Sequence, residues 1–179
     1  AFKFLTSRVN YRNHRKIVVI DGKVGFVGGM NVADRYINGV GSGIWRDSHV
    51  KIEGKAVAGL QTSFLIDWYS SRKEFLASDT YYPILDTEGD NMIQLVTSGP
   101  VGQFKDIHLG ILQAISNAKE SVYIQTPYFI PTDSLMQVIQ MAAMRGVDVR
   151  LMLPRHSDTT FVHIASMSFL KEVLDAKVS

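Results

Sequence analysis

HRKIVVIDGKVGFVGGMN, residues 14–31, is the stretch whose reading decides the fold. Residues 16–20, KIVVI, form a continuous run dominated by β-branched residues, the composition of a strand covered on both faces. Asp21-Gly22 is the strongest short signal for a hairpin turn, and VGFVGG at 24–29 returns as the partner strand. Side chains two apart on a strand share a face, so His14 and Lys16 project together. The glycine pair Gly28-Gly29, followed by Asn31, arrives on the neighbouring strand end, where glycine lets a ligand or another backbone come close.

These residue types suit phosphoryl chemistry. A neutral imidazole attacks phosphorus. An ammonium two residues away holds a non-bridging oxygen and stabilises the charge that develops on it. A carboxylate such as Asp21 orients an imidazole and sets its tautomer. The amide of Asn31 donates to a phosphate oxygen, and no metal is needed because Lys16 supplies the cation. Each residue alone has a plainer explanation: a core histidine, a solvated lysine, an ordinary turn. The full pattern H-x-K-x4-D-x6-G-G-x-N fixes six positions, and chance supplies on the order of one match in 10^8 start positions.

The rest of the chain sets bounds. Its 179 residues suit one domain or two small lobes, and 46% hydrophobic residues suffice for a core. There is no cysteine, which removes disulfides, thiolate nucleophiles and Cys-based metal sites. No run approaches the roughly 18 apolar residues of a spanning helix. Lys3, Arg8 and Arg12 interrupt the apolar start, so it does not read as a signal peptide. The chain begins with Ala and ends on a helical pattern, and we expect a stretch of a longer protein with any membrane segment elsewhere. The net charge is only +2, which argues against a broad nucleic-acid surface. Residues 1–25 nevertheless hold Lys3, Arg8, Arg12, Arg15, Lys16 and Lys23 against Asp21, a local cluster that favours an anionic partner.

The pattern predicts further elements. NVADRYI (31–37) opens a helical turn, GVGSG (39–43) is a loop, and WRDSHVKIEG (45–54) alternates like a strand. Residues 55–72 have helical spacing through Val57, Leu60, Phe64, Leu65 and Trp68. Residues 76–90 read as a linker. Beyond it come a strand over 91–100, a helix over 104–119, a strand over 121–129, a helix over 132–146, a strand over 147–154 and a helix over 163–176. That alternation predicts an α/β fold with parallel strands.

The motif residues resemble the HKD motif of the phospholipase D superfamily. The surroundings narrow the likeness: YRNHRKIVVIDGKVGFVGGMN, WRDSHVKIEG, SVYIQTPYFIPTDSL and GVDVRLMLP are similar to bacterial cardiolipin synthases over nearly the whole chain. The resemblance implies phospholipase D-like lobes, each a mixed sheet flanked by helices. Residues 1–75 would be the C-terminal part of a first lobe, with its motif at 9–36. Residues 91–179 would be the N-terminal part of a second lobe that stops before its own motif. It implies one site built from two motifs, with one histidine forming a phosphohistidine and the other acting as acid and base. His14 would be one of the two, Lys16 a phosphate clamp, Asp21 an orienting carboxylate and Asn31 a phosphate-side donor, with no cofactor and no metal. The implied reaction is phosphatidyl transfer between two phosphatidylglycerol molecules at the bacterial cell membrane, with acidic phospholipid and the second lobe as partners and nucleic acid as none.

No second complete motif is present. His49 has Lys51 two residues on, but Ala56 stands where the acid belongs, and Gly110, Asp158 and Ala165 follow His108, His156 and His163 at the lysine spacing. Weaker candidates are Gly29, Arg46, Asp47 and His49 around the expected pocket, and Gln125, Thr126 and Tyr128 after a strand of the second unit. Met136, Met141, Met144 and Met152 read as packing residues, as do Trp45, Trp68, Tyr81 and Tyr82 apart from a place at a membrane surface. A different phospholipase D-superfamily enzyme, a nuclease that pairs single motifs by dimerising, and an inactive isolated fragment remain open.

Overall fold

A computed structural model describes residues 13–39, 41, 43–85, 89–99, 103–155 and 158–179. The basic positions Lys3, Arg8 and Arg12, the parts of the expected glycine loop at 40 and 42, and His156 lie outside the described residues. The chain divides into two compact units, residues 1–100 and 101–179.

The first unit is built on an antiparallel sheet of three strands, β1 (Ile17–Ile20), β2 (Val24–Gly28) and β3 (His49–Glu53), in the order β1-β2-β3. The β1–β2 register pairs Ile17 with Val27 and Ile20 with Val24. The turn is closed by the Lys23 amide donating to the Ile20 carbonyl at 3.0 Å. Asp21 (φ 54°) and Gly22 (φ 64°) both take left-handed conformations, which is why Asp-Gly serves there. One face of the sheet carries Ile17, Val19, Val27 and Ile52 against Val57 and Leu60 of helix α1 (Val57–Arg72). Gly25 fits beneath Leu60, whose Cδ1 lies 2.6 Å from where a Cβ would stand. The opposite face is open: Val18 and Ile20 are 48% and 49% exposed. β1 is thus covered on one side only, contrary to its continuous apolar run.

Three other expectations for this unit change. Only residues 49–53 of the 45–54 run form a strand, because the Asp47 side chain accepts from the Ser48 amide at 2.8 Å and turns the backbone just before the ladder. Residues 91–99 form no strand; Leu95 instead lies over Gly59 of α1. The expected linker is also tied to this unit, through a 3-10 turn at Asp79–Tyr81, Pro83 against the Gly22 turn, and Thr62 hydroxyl 3.0 Å from the Tyr82 hydroxyl. The boundary therefore falls about ten residues later than the composition suggests.

The second unit alternates α2 (Asp106–Asn117), β4 (Ser121–Gln125), α3 (Asp133–Met144), β5 (Asp148–Met152), α4 (Thr160–Ser168) and α5 (Leu170–Asp175). β4 and β5 pair in parallel, with Ser121 opposite Asp148 and Gln125 opposite Met152. Thr132 caps α3 by accepting from the Leu135 amide, and Gly146 (φ 87°) follows its C-terminal end. The core gathers Ile115, Phe129, Met136, Ile139, Ala142, Val149 and Val173. The expected last helix is two: Ser168 donates its hydroxyl to the Ala165 carbonyl at 2.7 Å, an interaction that bends helices, and α5 restarts after Phe169. Past α5, Ser179 lies along the edge of β5 away from β4. Its amide donates to the Val149 carbonyl at 3.0 Å and its carbonyl accepts from the Leu151 amide at 2.8 Å. The α/β class holds: among the described residues the first unit carries an antiparallel sheet and the second a parallel pair of strands, each packed beside helices.

Candidate active site

The site is assembled where three strand ends of the first unit meet. The β1–β2 ladder stops at the Ile17–Val27 pair, so Lys16 leaves the sheet at the end where β2 runs out at Gly28. β3 enters at that end too, with His49 opposite Gly28. By the two-residue alternation Lys16, Gly28 and His49 fall on the open face, away from α1. The missing side chain at Gly28 leaves the space that His49 uses: its Nδ1 lies 2.6 Å from where a Cβ would stand. That Nδ1 is buried with no hydrogen-bond partner among the described residues.

His14 and Lys16 are in contact. The Lys16 ammonium lies 2.7 Å from His14 Nδ1 and 3.3 Å from Nε2, and it donates to the His14 carbonyl at 2.8 Å. An ammonium has donors only, so the ring nitrogen it meets is the acceptor in that contact. The pair is solvent-accessible: His14 is exposed and Lys16 half-buried.

Asp21 is elsewhere. It sits in the hairpin turn, and the four residues of β1, at about 3.3 Å each, put more than roughly 13 Å of strand between it and His14. The structure does not bring it to the imidazole; its local role is the left-handed turn. Gly29 is a close-approach glycine. Its amide donates to the Ser48 carbonyl at 3.0 Å, and a Cβ there would run into the Asp47 carboxylate. Asn31 donates to the Tyr36 hydroxyl at 3.0 Å. Tyr36 meets Trp45 edge-on at 6.1 Å, and the Arg35 guanidinium lies 4.7 Å over the Trp45 ring. Asn31 is thereby braced by the loop that follows β2, and Trp45 serves that brace. Arg46 is exposed at the end of the same loop.

In the second unit Gln125 ends β4, and the Tyr128 hydroxyl donates to both oxygens of Asp158 at 2.7 and 2.8 Å. Met136 is core, whereas Met141, Met144 and Met152 are 54%, 78% and 63% exposed. No group of three or more His, Asp or Glu side chains that could hold a metal occurs among the described residues.

Sequence reasoning missed Asp67. From α1 it accepts from the Asn13 amide at 2.7 Å and from Arg15 Nη1 at 2.6 and 2.8 Å. Arg15 is therefore paired behind the strand rather than offered to an anion beside Lys16. A groove of about 340 Å³ opens on that side, lined by Asn13, Arg15, Ile17, Phe64, Asp67 and Trp68, on the face of the strand opposite to His14. No local signal links Asp67 to residue 15, because 52 positions separate them.

Comparison with known proteins settles the family. A family model described as "Cardiolipin synthase, PLD-like domain" matches residues 111–179. Cardiolipin synthase 2 of Staphylococcus epidermidis is 46% identical over 175 residues, 96% of this chain and 36% of that protein. The chain belongs to the phospholipase D-like family. The cardiolipin synthase of Listeria monocytogenes is 42% identical over 171 residues, and the major cardiolipin synthase of Bacillus subtilis 42% over 172, each covering 94% of this chain. The phospholipase D-like chain spans about a third of the length of these relatives, 36% in each case. No solved structure matches it significantly. No helix among its described residues is long and apolar enough to cross a membrane.

Proposed function

We propose that this chain carries one half of the active site of a cardiolipin synthase, which moves a phosphatidyl group from one phosphatidylglycerol to another and releases glycerol. The observation that carries the reading is the His14–Lys16 contact on the open end of β1, an imidazole with an ammonium 2.7 Å away. The names of the relatives support the substrate.

In this reaction an imidazole nitrogen attacks phosphorus, the P–N bond forms, and the P–O bond to glycerol breaks. The leaving oxygen takes a proton from a second histidine, supplied by the motif of a second lobe. The hydroxyl of the second phosphatidylglycerol then gives its proton back to that base, attacks phosphorus and breaks the P–N bond. Lys16 holds a non-bridging oxygen throughout, and Gly28-Gly29 and Asn31 shape the space beside it. A covalent intermediate keeps the phosphoryl group reactive until an alcohol replaces glycerol. Acidic phospholipid at the bacterial membrane is the partner surface.

The test uses the complete natural polypeptide, purified in detergent with phosphatidylglycerol. Equal amounts of cardiolipin and glycerol support the proposal. Phosphatidic acid as the sole lipid product makes the protein a hydrolase, and cleavage of DNA in place of lipid makes it a nuclease; either result overturns the substrate assignment.

A further inference from the structure

We propose that Asp67 is the positioning residue for His14: from helix α1 it holds both neighbours of the histidine and so fixes the direction of the imidazole. The inference rests on the role given to His14 above. Ladder pairing begins only at Ile17, so no β1–β2 hydrogen bond fixes residues 13–16. Something else must hold that extension if His14 is to meet phosphorus in a fixed geometry. One carboxylate does it. Asp67 Oδ2 accepts from the Asn13 amide at 2.7 Å, and both Asp67 oxygens accept from Arg15 Nη1 at 2.6 and 2.8 Å. The clamp closes on itself, because Asn13 Oδ1 accepts from the Arg15 backbone amide at 2.9 Å. Residues 13, 15 and 17 thus turn toward α1, where Ile17 joins the Val57–Leu60 core. Strand alternation then turns 14 and 16 to the open face. The side chains of Arg15 and Asp67 are 34% and 25% exposed, shielded enough to keep a defined geometry. The hydrogen bonds of Asp67 go to Asn13 and Arg15 rather than to the ring, so it acts through the residues on either side of His14.

A misplacement of about 1 Å at a reacting group costs up to about 10^2-fold in rate. In the complete natural polypeptide, Asp67→Ala should lower kcat for phosphatidyl transfer about 10- to 100-fold with KM within about twofold. Asp67→Asn keeps an acceptor for Asn13 and should recover part of the loss. Arg15→Ala combined with Asp67→Ala should be no worse than Asp67→Ala alone, because both act through one contact. The melting temperature should fall by no more than about 2–4 °C, as expected for a partly exposed ion pair.

Hydrogen exchange supplies a readout independent of turnover: in Asp67→Ala the Arg15 amide should exchange faster while Ile17–Ile20 keep their protection. If the unaltered protein transfers no phosphatidyl group, the functional reading falls, and exchange alone decides whether Asp67 holds residues 13–16. Unchanged kcat in Asp67→Ala overturns the proposal where the protein is active. Unchanged exchange at Arg15 overturns it in every case, as does loss of protection spread evenly through β1, which would make Asp67 a residue of general stability.

Discussion

Lys16 is the residue on which the chemistry turns. Its ammonium touches both the ring and the carbonyl of His14, so it supplies charge and fixes the approach of the imidazole at once. Lys16→Met keeps the length of the chain and removes the charge; turnover should fall about 10^2- to 10^3-fold, measured as cardiolipin formed per enzyme. Gly29 is a test of packing at the same scale. A methyl group there meets the Asp47 carboxylate, so Gly29→Ala should cost about 1–3 kcal/mol in denaturant unfolding, with Asp47 displaced. The motif itself was legible because six fixed positions leave little to chance. The roles within it were not equally legible. H-x-K places two side chains on one face by strand geometry alone, and the contact follows. The aspartate five residues later reads as a partner of the histidine, but spacing along a strand is distance, and the turn claims it.

At the scale of elements, strong local signals survived and one-sided ones did not. The Asp-Gly turn, the capped helix α3 and the β4–β5 pair follow their local chemistry. The run 91–99 has the composition of a strand, yet pairing needs a free edge beside it, and composition does not say whether one exists. The apolar run of β1 reads as buried on both faces, but α1 covers only one. The clamp by Asp67 joins residues 52 positions apart, and no periodicity announces it. On β4 and β5, Tyr123, Asp148 and Arg150 share the outward face. Hydrogen bonds from Arg150 first, then Tyr123, hold the Asp148 carboxyl below its ordinary value. A lowered carboxyl pKa favours the folded state above the unfolded value, and that contribution is lost as pH falls through the lowered one. Arg150→Gln should move the Asp148 midpoint up toward the ordinary carboxylate value in an NMR titration, and added salt should move it the same way. In the core of the same unit, Ile139 is 1% exposed, so Ile139→Ala should destabilise it by about 2–5 kcal/mol, read from its unfolding midpoint.

For the whole molecule, each unit has its own core, and the motif belongs to the first while the family model matches within the second. The place of the division was poorly legible because residues 76–90 look like a linker and 91–99 like a strand by composition, yet both are tied to the first unit, by Pro83, Tyr82 and Leu95. A second histidine with the same lysine and acid spacing is absent from these 179 residues, so the proposed transfer needs a partner motif from outside them. The central claim is that His14 is one of the two histidines that handle the phosphoryl group. The most direct measurement is the rate of cardiolipin formation by the complete polypeptide, unaltered and as His14→Ala, with folding of both verified by circular dichroism. The account predicts a loss of at least about 10^2- to 10^4-fold in a folded variant. A folded His14→Ala protein that makes cardiolipin at the unaltered rate would contradict it and leave His14 a structural residue.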